Sequence, residues 1–250
     1  MGLNRYILMS QITVEEFRNF FKYYKGESHQ QHAVEILYDE LKKKTKEDDA
    51  LWIETYRTPY APTEDNDTPE LTNPLDVPYQ SQNDNASGTG YRECFSSSCA
   101  MVAMYYGKVA NDDAYNVHRA KYGDSTDPQA QVRALRGLGL EANFITNATT
   151  ADLKRQIDAG KPTPCGWLHH GNVNAPSGGG HYSVTIGYTK DTWIVHDPNG
   201  EASLVTGGYT NNLNGASQHY SFQNWNPRWI VEGEGSGWMM DICDPSSPGK

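Results

Sequence analysis

The run Arg92-Glu93-Cys94-Phe95-Ser96-Ser97-Ser98-Cys99-Ala100-Met101-Val102 sets a cysteine among small polar residues where an apolar, helix-forming stretch begins. Free amides and the positive end of the dipole at a helix N-terminus stabilise a thiolate, so a cysteine placed there can be nucleophilic near neutral pH. Thiol catalysis needs three further groups: an imidazole partner, a side chain that orients it, and a donor for the oxyanion. Each has a candidate. His181 follows a glycine-rich loop and opens a strand-like segment, Asp197 closes the next one, and Gln82 lies just upstream of the loop that leads to Cys94.

These residues require particular elements. Phe95, Cys99, Val102 and Tyr106 recur at i, i+4, i+7 and i+11, which predicts a helix with one buried stripe and makes Cys99 a core thiol rather than a second nucleophile. Cys94 and Cys99 sit five positions apart on that helix, poor geometry for a disulfide. Further helices are expected around 113–122, 129–138 and 150–159, and strands at 140–145 and 164–168. Residues 181–188 and 193–197 read as a hairpin turning at Thr189-Lys190-Asp191-Thr192, so His181 and Asp197 become neighbours through local pairing. Beyond Asn199 the chain is rich in glycine and asparagine, with further strands expected at Trp229-Ile230-Val231 and Trp238-Met239-Met240.

The remainder divides into smaller parts. Residues 1–57 read as a small helical module, a possible partner- or wall-binding unit. Val14, Phe17, Phe21 and Tyr24 lie at helical intervals, followed by Ala33, Ile36, Leu37 and Leu41 and then by Trp52, Ile53 and Tyr56. Residues 58–74, with Pro59, Pro62, Pro69 and acidic side chains, form an extended linker. Residues 75–250 make the domain that carries the chemistry.

Composition excludes several classes. The 250 residues carry a net charge of -10, so a nucleic-acid backbone would be repelled and no nucleic-acid partner is expected. No apolar run reaches the roughly 18 residues that a membrane-spanning helix needs, so neither membrane insertion nor a signal peptide is expected. The 4 cysteines are too sparse for a disulfide framework.

Other roles for the same residues were weighed. Cys94 could be an ordinary packed cysteine, His181 a core histidine, and Asp197-Pro198 a turn initiator. His29 with His32, or His169 and His170 with His181 and Asp197, could suggest a metal. The first pair lacks a third ligand, and adjacent histidines on a strand point to opposite faces. No metal or cofactor is expected. Tyr182 and Trp193 suit the core of the hairpin, whereas Trp225, Trp229 and Trp238 could include an exposed stacking residue.

Val77-Pro78-Tyr79-Gln80-Ser81-Gln82, Cys94 opening a helix that ends Tyr105-Tyr106-Gly107, Gly179-Gly180-His181-Tyr182 with Gly187-Tyr188, and Asp197-Pro198-Asn199-Gly200 together resemble the C39 and C39-like cysteine peptidases. The resemblance implies an α+β, papain-like cysteine peptidase fold, with the nucleophile helix packed on an antiparallel sheet, here preceded by the small all-α module. It also implies Cys94, His181 and Asp197 as a triad, with Gln82 in the oxyanion hole. One departure stands out: the family commonly has Gly-Pro after its cysteine, where this chain has Phe95-Ser96, expected to narrow the approach to Cys94. The helical and tail segments are similar to those of cyanophage proteins with C39-like domains. The expectation is therefore a phage peptidoglycan hydrolase acting on stem peptides, made in the host cytoplasm and reaching the wall through a holin or in a virion. The alternatives are an inactive papain-fold binding protein of the virion and a protein-processing peptidase.

Overall fold

In the β-rich half of the chain, neighbouring residues along one strand are both apolar, which a sheet tolerates only when each of its faces is covered. The computed structural model, which describes residues 74–246, answers this with a six-stranded antiparallel sheet in the order β1-β8-β2-β3-β4-β7. Its strands are β1 (Glu141–Ala148), β2 (Thr163–Trp167), β3 (His181–Tyr188), β4 (Thr192–His196), β7 (Gln218–Ser221) and β8 (Gly237–Cys243). Two short strands, β5 (Glu201–Ala202) and β6 (Tyr209–Asn211), pair with each other alone. The helices are α1 (Cys94–Tyr105), α2 (Asp112–Arg119), α3 (Pro128–Gly137), α4 (Thr150–Asp158) and α5 (Phe222–Trp229).

Strand alternation sorts the core into two clusters. Val184, Ile186, Ile194, Met240 and Ile242 join Phe95, Cys99 and Val102 of α1, Tyr115 of α2 and Leu135 of α3. The intervening residues Trp193, Val195 and Met239, with Cys165 and Trp167, join Trp225 and Trp229 of α5. A register shift between Thr185 and Gly187 leaves Ile186 as the extra residue in the β3–β4 pairing. The α+β arrangement expected from the sequence, a nucleophile helix against an antiparallel sheet, is the one observed.

Helix α1 departs from the single stripe expected of it. Every residue from Phe95 to Ala103 is buried, the serines included. Two of its three serines are satisfied internally, while Ser98 Oγ is buried without a partner. Ser96 Oγ accepts hydrogen bonds from Arg119 Nε at 3.2 Å and Gln131 Nε2 at 2.9 Å, while Ser97 Oγ donates to Asp112 at 2.9 Å. The small side chains let α2 and α3 close over the helix, and Gly107, at φ 70, ends it. Cys99 and Cys165 are fully buried free thiols.

No strand forms at Trp229–Val231: Trp229 ends α5, Ile230 caps it and Val231 begins a turn. Ser221 caps that helix by accepting from the Asn224 amide at 3.2 Å, and Trp225 and Trp229, one helical turn apart, stack with ring centroids 5.2 Å apart. The tryptophan spacing carried this helical signal; the β-branched residues after it masked the signal. Trp238 is the exposed member of the three tryptophans, 50% accessible and edge-on to Phe144. The chain divides into Met1–Thr68 and Pro69–Lys250. The helical module of residues 1–57, the linker up to residue 73, and His29 with His32 lie outside the described residues.

Trp193 is fully buried in the second cluster, and its indole N–H donates to Asn226 at 2.8 Å. Trp193→Ala should lower stability by about 3–5 kcal/mol, read as a fall in the urea midpoint. A midpoint within error of the parent would show that this cluster does not hold the sheet.

Candidate active site

Cys94 is the first residue of α1, and the chain before it is held by one carboxylate. Glu93, 3% exposed, accepts from Asn85 Nδ2 at 2.7 Å, Ser87 Oγ at 2.8 Å, Thr89 Oγ1 at 2.8 Å and Asn116 Nδ2 at 3.4 Å. Burial pushes its carboxyl pKa up, but the donors from Asn85, Ser87 and Thr89 outweigh burial and hold it below the ordinary value. The glycine- and asparagine-rich loop thereby becomes a fixed entry to the helix, and Cys94 starts from a fixed point.

His181 opens β3, pairs with Trp167 of β2 and is 3% exposed. Its Nε2–H donates to Asp197 Oδ1 at 2.8 Å. The other ring nitrogen, Nδ1, is not engaged by Asp197, and His181 lies close enough to the Cys94 thiol to interact with it electrostatically. Val184 pairs with His196, so Asp197, immediately after β4, lies diagonal to His181 across the hairpin, and the side chains bridge that offset. The sequence-based neighbour relation therefore holds, with Asp197 just past the strand rather than within it.

Electrostatics couple the three groups. Burial works against the Cys94 thiolate, but the charge and hydrogen bond of His181 and the Tyr182 backbone N–H outweigh it, lowering the thiol's pKa. Burial likewise works against charge on His181. Asp197 and the Cys94 thiolate outweigh it and raise the imidazole to about 10. Both shifts run in the direction that favours a thiolate–imidazolium pair over the neutral thiol and imidazole.

Gln82 is 3% exposed, in a short 3-10 turn spanning Gln82–Asp84. Its Nε2 donates to Gly90 O at 2.9 Å, and its backbone N–H donates to Pro198 O at 2.8 Å, tying the turn to the loop after Asp197. Gly90 is required here, because a Cβ would overlap the Gln82 carbonyl oxygen. One Nε2 hydrogen remains for another acceptor, and Oε1 is buried without a partner. Phe95 does not narrow the approach to Cys94: it is 1% exposed, turned into the core and stacked on Tyr182 at 3.6 Å between centroids. The bulk that the sequence sets after the cysteine is absorbed by a helix buried on every side.

Tyr209, Tyr220, Trp167 and Arg228 have no role in the sequence reading, yet each meets the site. Asp197, fully buried, also accepts from Tyr220 OH at 2.9 Å, Tyr209 OH at 3.2 Å and the Asn199 N–H at 2.9 Å. The rings of Trp167, His169 and Tyr209 surround His181 at centroid distances of 5.4, 5.5 and 5.6 Å. Burial, then repulsion by His181 and His170, lowers His169 to about 4, so it is neutral at pH 7. His169 and His170 do not point apart, as a strand would require: they follow β2 in a loop, with ring centroids 3.9 Å apart. Among the described residues no His, Cys, Asp or Glu cluster is arranged to hold a metal. Arg228, fully buried on α5, donates to the carbonyl oxygens of Leu168, His170, Gly171 and Leu204 at 2.8–3.0 Å, pinning the walls of the site. A lone arginine in an aromatic helix signals a buried cation; its acceptors, being backbone atoms, leave no mark in the sequence.

The model of the Peptidase_C39 like family matches residues 74–227. No curated protein matches the chain. Among solved structures, one similar chain is a double glycine motif protease from an AMS/PCAT transporter in complex with the leader peptide, at 17% identity, covering 68% of this chain and 94% of that one, with a TM-score of 0.45. Another is the peptidase domain of Streptococcus ComA, a bi-functional ABC transporter, at 19% identity, 61% and 92% coverage and a TM-score of 0.42. A third is a C39-like peptidase from Bacillus anthracis, at 17% identity, 67% and 95% coverage and a TM-score of 0.43.

Two outcomes follow from this electrostatic arrangement. Iodoacetamide should alkylate Cys94 faster than Cys243 at pH 7, because the Cys94 thiol is lowered whereas burial and nearby carboxylates raise that of Cys243. Equal rates by peptide mass spectrometry would contradict the ion pair. Glu93 is depressed in the folded state, so its stabilisation is present above the ordinary value of 4.5 and lost as pH falls through its lower folded value. Glu93→Gln should therefore cost about 1–3 kcal/mol at pH 7 and progressively less as pH falls below 4.5, and a loss that does not change with pH would refute this role.

Proposed function

The chain belongs to the Peptidase_C39 like family of cysteine peptidases, and on that premise we propose that it hydrolyses peptide bonds through a Cys94 thioester, with stem peptides of peptidoglycan as the substrate. The observation that carries the catalytic reading is the contact chain from Cys94 at the start of α1, through His181, to buried Asp197. Cys94 Sγ attacks the carbonyl carbon and the C=O electron pair moves onto oxygen. The second Nε2 hydrogen of Gln82 and the first-turn N–H of Cys94 receive that oxyanion. His181 gives its Nδ1 proton to the departing amine as the C–N bond breaks. Water then attacks the thioester, returning a proton to His181 and expelling the thiolate. Asp197 keeps Nε2 protonated, so that Nδ1 is the nitrogen that shuttles the proton.

The substrate rests on the sequence: the resemblance of the helical and tail segments to phage proteins with C39-like domains supports stem peptides. Passage through a holin or carriage in a virion would bring the enzyme to the wall. The family and the coupled site favour turnover over a binding-only virion protein.

Digestion of purified peptidoglycan, followed by mass spectrometry of the products, tests the proposal. New free amines and shortened stem peptides are expected, and Cys94→Ala should abolish them. Gln82→Ala should lower kcat about 10²–10³-fold. An unchanged muropeptide pattern, with cleavage of unfolded protein substrates, would replace the wall substrate by a processing role. No cleavage of either would end the enzymatic reading.

A further inference from the structure

Asp197 is a buried carboxylate, and such a group is held in place only if its lone pairs are met by donors. His181 Nε2–H and the Asn199 N–H take Oδ1, at 2.8 and 2.9 Å. Tyr220 OH takes Oδ2 at 2.9 Å, and Tyr209 OH reaches Oδ2 at 3.2 Å and Oδ1 at 3.3 Å. Burial, then the charge of Asp197, raises both phenols well above their ordinary value, so each remains a donor. The two tyrosines come from separate elements, Tyr209 from β6 and Tyr220 from β7.

The stretch that delivers Tyr209 is itself tied down. Arg228 Nε holds Leu204 O at 2.8 Å, Val173 N–H donates to Val205 O at 2.9 Å, and Gly208 N–H donates to His169 O at 2.7 Å. The backbone of Asp197 is fixed from the other side: Tyr79 OH donates to its carbonyl at 3.2 Å, and a Cβ at Gly215 would overlap that same oxygen. The glycine- and asparagine-rich segment after Asn199, which the sequence leaves without a task, thus folds back to cover the acid of the site.

We propose that Tyr209 and Tyr220 are positioning residues, a pair of hydroxyl donors that fix the orientation of Asp197 and share its charge, and through it set the geometry and basicity of His181. The inference rests on the peptidase reading of Cys94, His181 and Asp197. A carboxylate held by two hydroxyls has less charge to offer the imidazolium than one held by His181 and a backbone amide alone. Removing a hydroxyl therefore strengthens the hold of Asp197 on the His181 proton and loosens the carboxylate. The other titratable groups facing these residues are Cys94 from α1, His169 from the loop after β2, Glu201 from β5 and Tyr79 from the segment before α1.

Tyr209→Phe and Tyr220→Phe, made separately in the full chain, keep the ring and delete the donor. The His181 imidazole is titrated by ¹H–¹⁵N NMR, which needs no substrate, alongside kcat and KM on a cleaved peptide. The expected result is a His181 midpoint raised by about half a pH unit, more in Tyr220→Phe, whose bond is shorter, with kcat reduced about ten-fold and KM unchanged. A purely structural role would move the unfolding midpoint and leave the titration where it was. A His181 midpoint unchanged or lowered in both folded variants overturns the proposal. If the wild type cleaves nothing yet the midpoint rises in the variants, the two-tyrosine arrangement stands and the peptidase reading falls.

Discussion

The hydrogen bond from His181 Nε2–H to Asp197 is the contact on which the rest of the site depends. A carboxylate with no exposure carries a desolvation penalty that a single neutral partner would not offset, and an imidazolium at 3% exposure has the mirror problem. Each makes the other tolerable, and Cys94, whose thiol pKa His181 lowers against the pull of burial, extends the pair into a row of three. Much of the surrounding architecture keeps that row dry and correctly spaced. The β3–β4 hairpin sets His181 and Asp197 diagonally, the segment after β4 folds back over the acid, and the aromatic rings of Trp167 and Tyr209 exclude solvent from the imidazole.

Helix α1 supplies the third member from a rigid body. Because it is buried on every side, its position is set by packing against β3, α2 and α3 together, and rotation about its axis would put Ser96 or Ser97 out of reach of their partners. Polar side chains in such a helix work as registration marks. Glu93 performs the same task one residue before Cys94, and the result is a cysteine whose approach to His181 is fixed from both sides of the chain.

The site was legible in the sequence because its members lie at element boundaries that have local signals. Cys94 follows a glycine-rich loop and precedes an apolar run, His181 follows Gly179-Gly180, and Asp197 precedes Pro198. The hairpin between the last two needed only a turn and strand-like flanks. What was not legible were contacts made by ordinary residues at long separation: Tyr209 and Tyr220 on Asp197, and Arg228 on backbone oxygens. Tyrosines in weakly patterned segments announce no partner. Phe95 misled for a related reason: a residue beside a nucleophile reads as part of the approach until the burial of the whole helix is known. The strand expected after Trp229 failed because β-branched residues outweighed the i, i+4 tryptophan pair in a short window.

Arg228 grips four main-chain carbonyls and no side chain of the segments it joins. Its hold on Leu168, His170, Gly171 and Leu204 is therefore indifferent to what those residues are, provided the backbone keeps its course. Gly171 is the exception, because its φ of +71 and the nearby Ala175 carbonyl leave no room for a Cβ. The exposed His170 side chain is open to exchange, whereas the His169 ring stays beside His181 and Leu204 stays against the second core cluster. A scaffold of that kind holds the backbone beside His181 through bonds in which no side chain of the rim takes part.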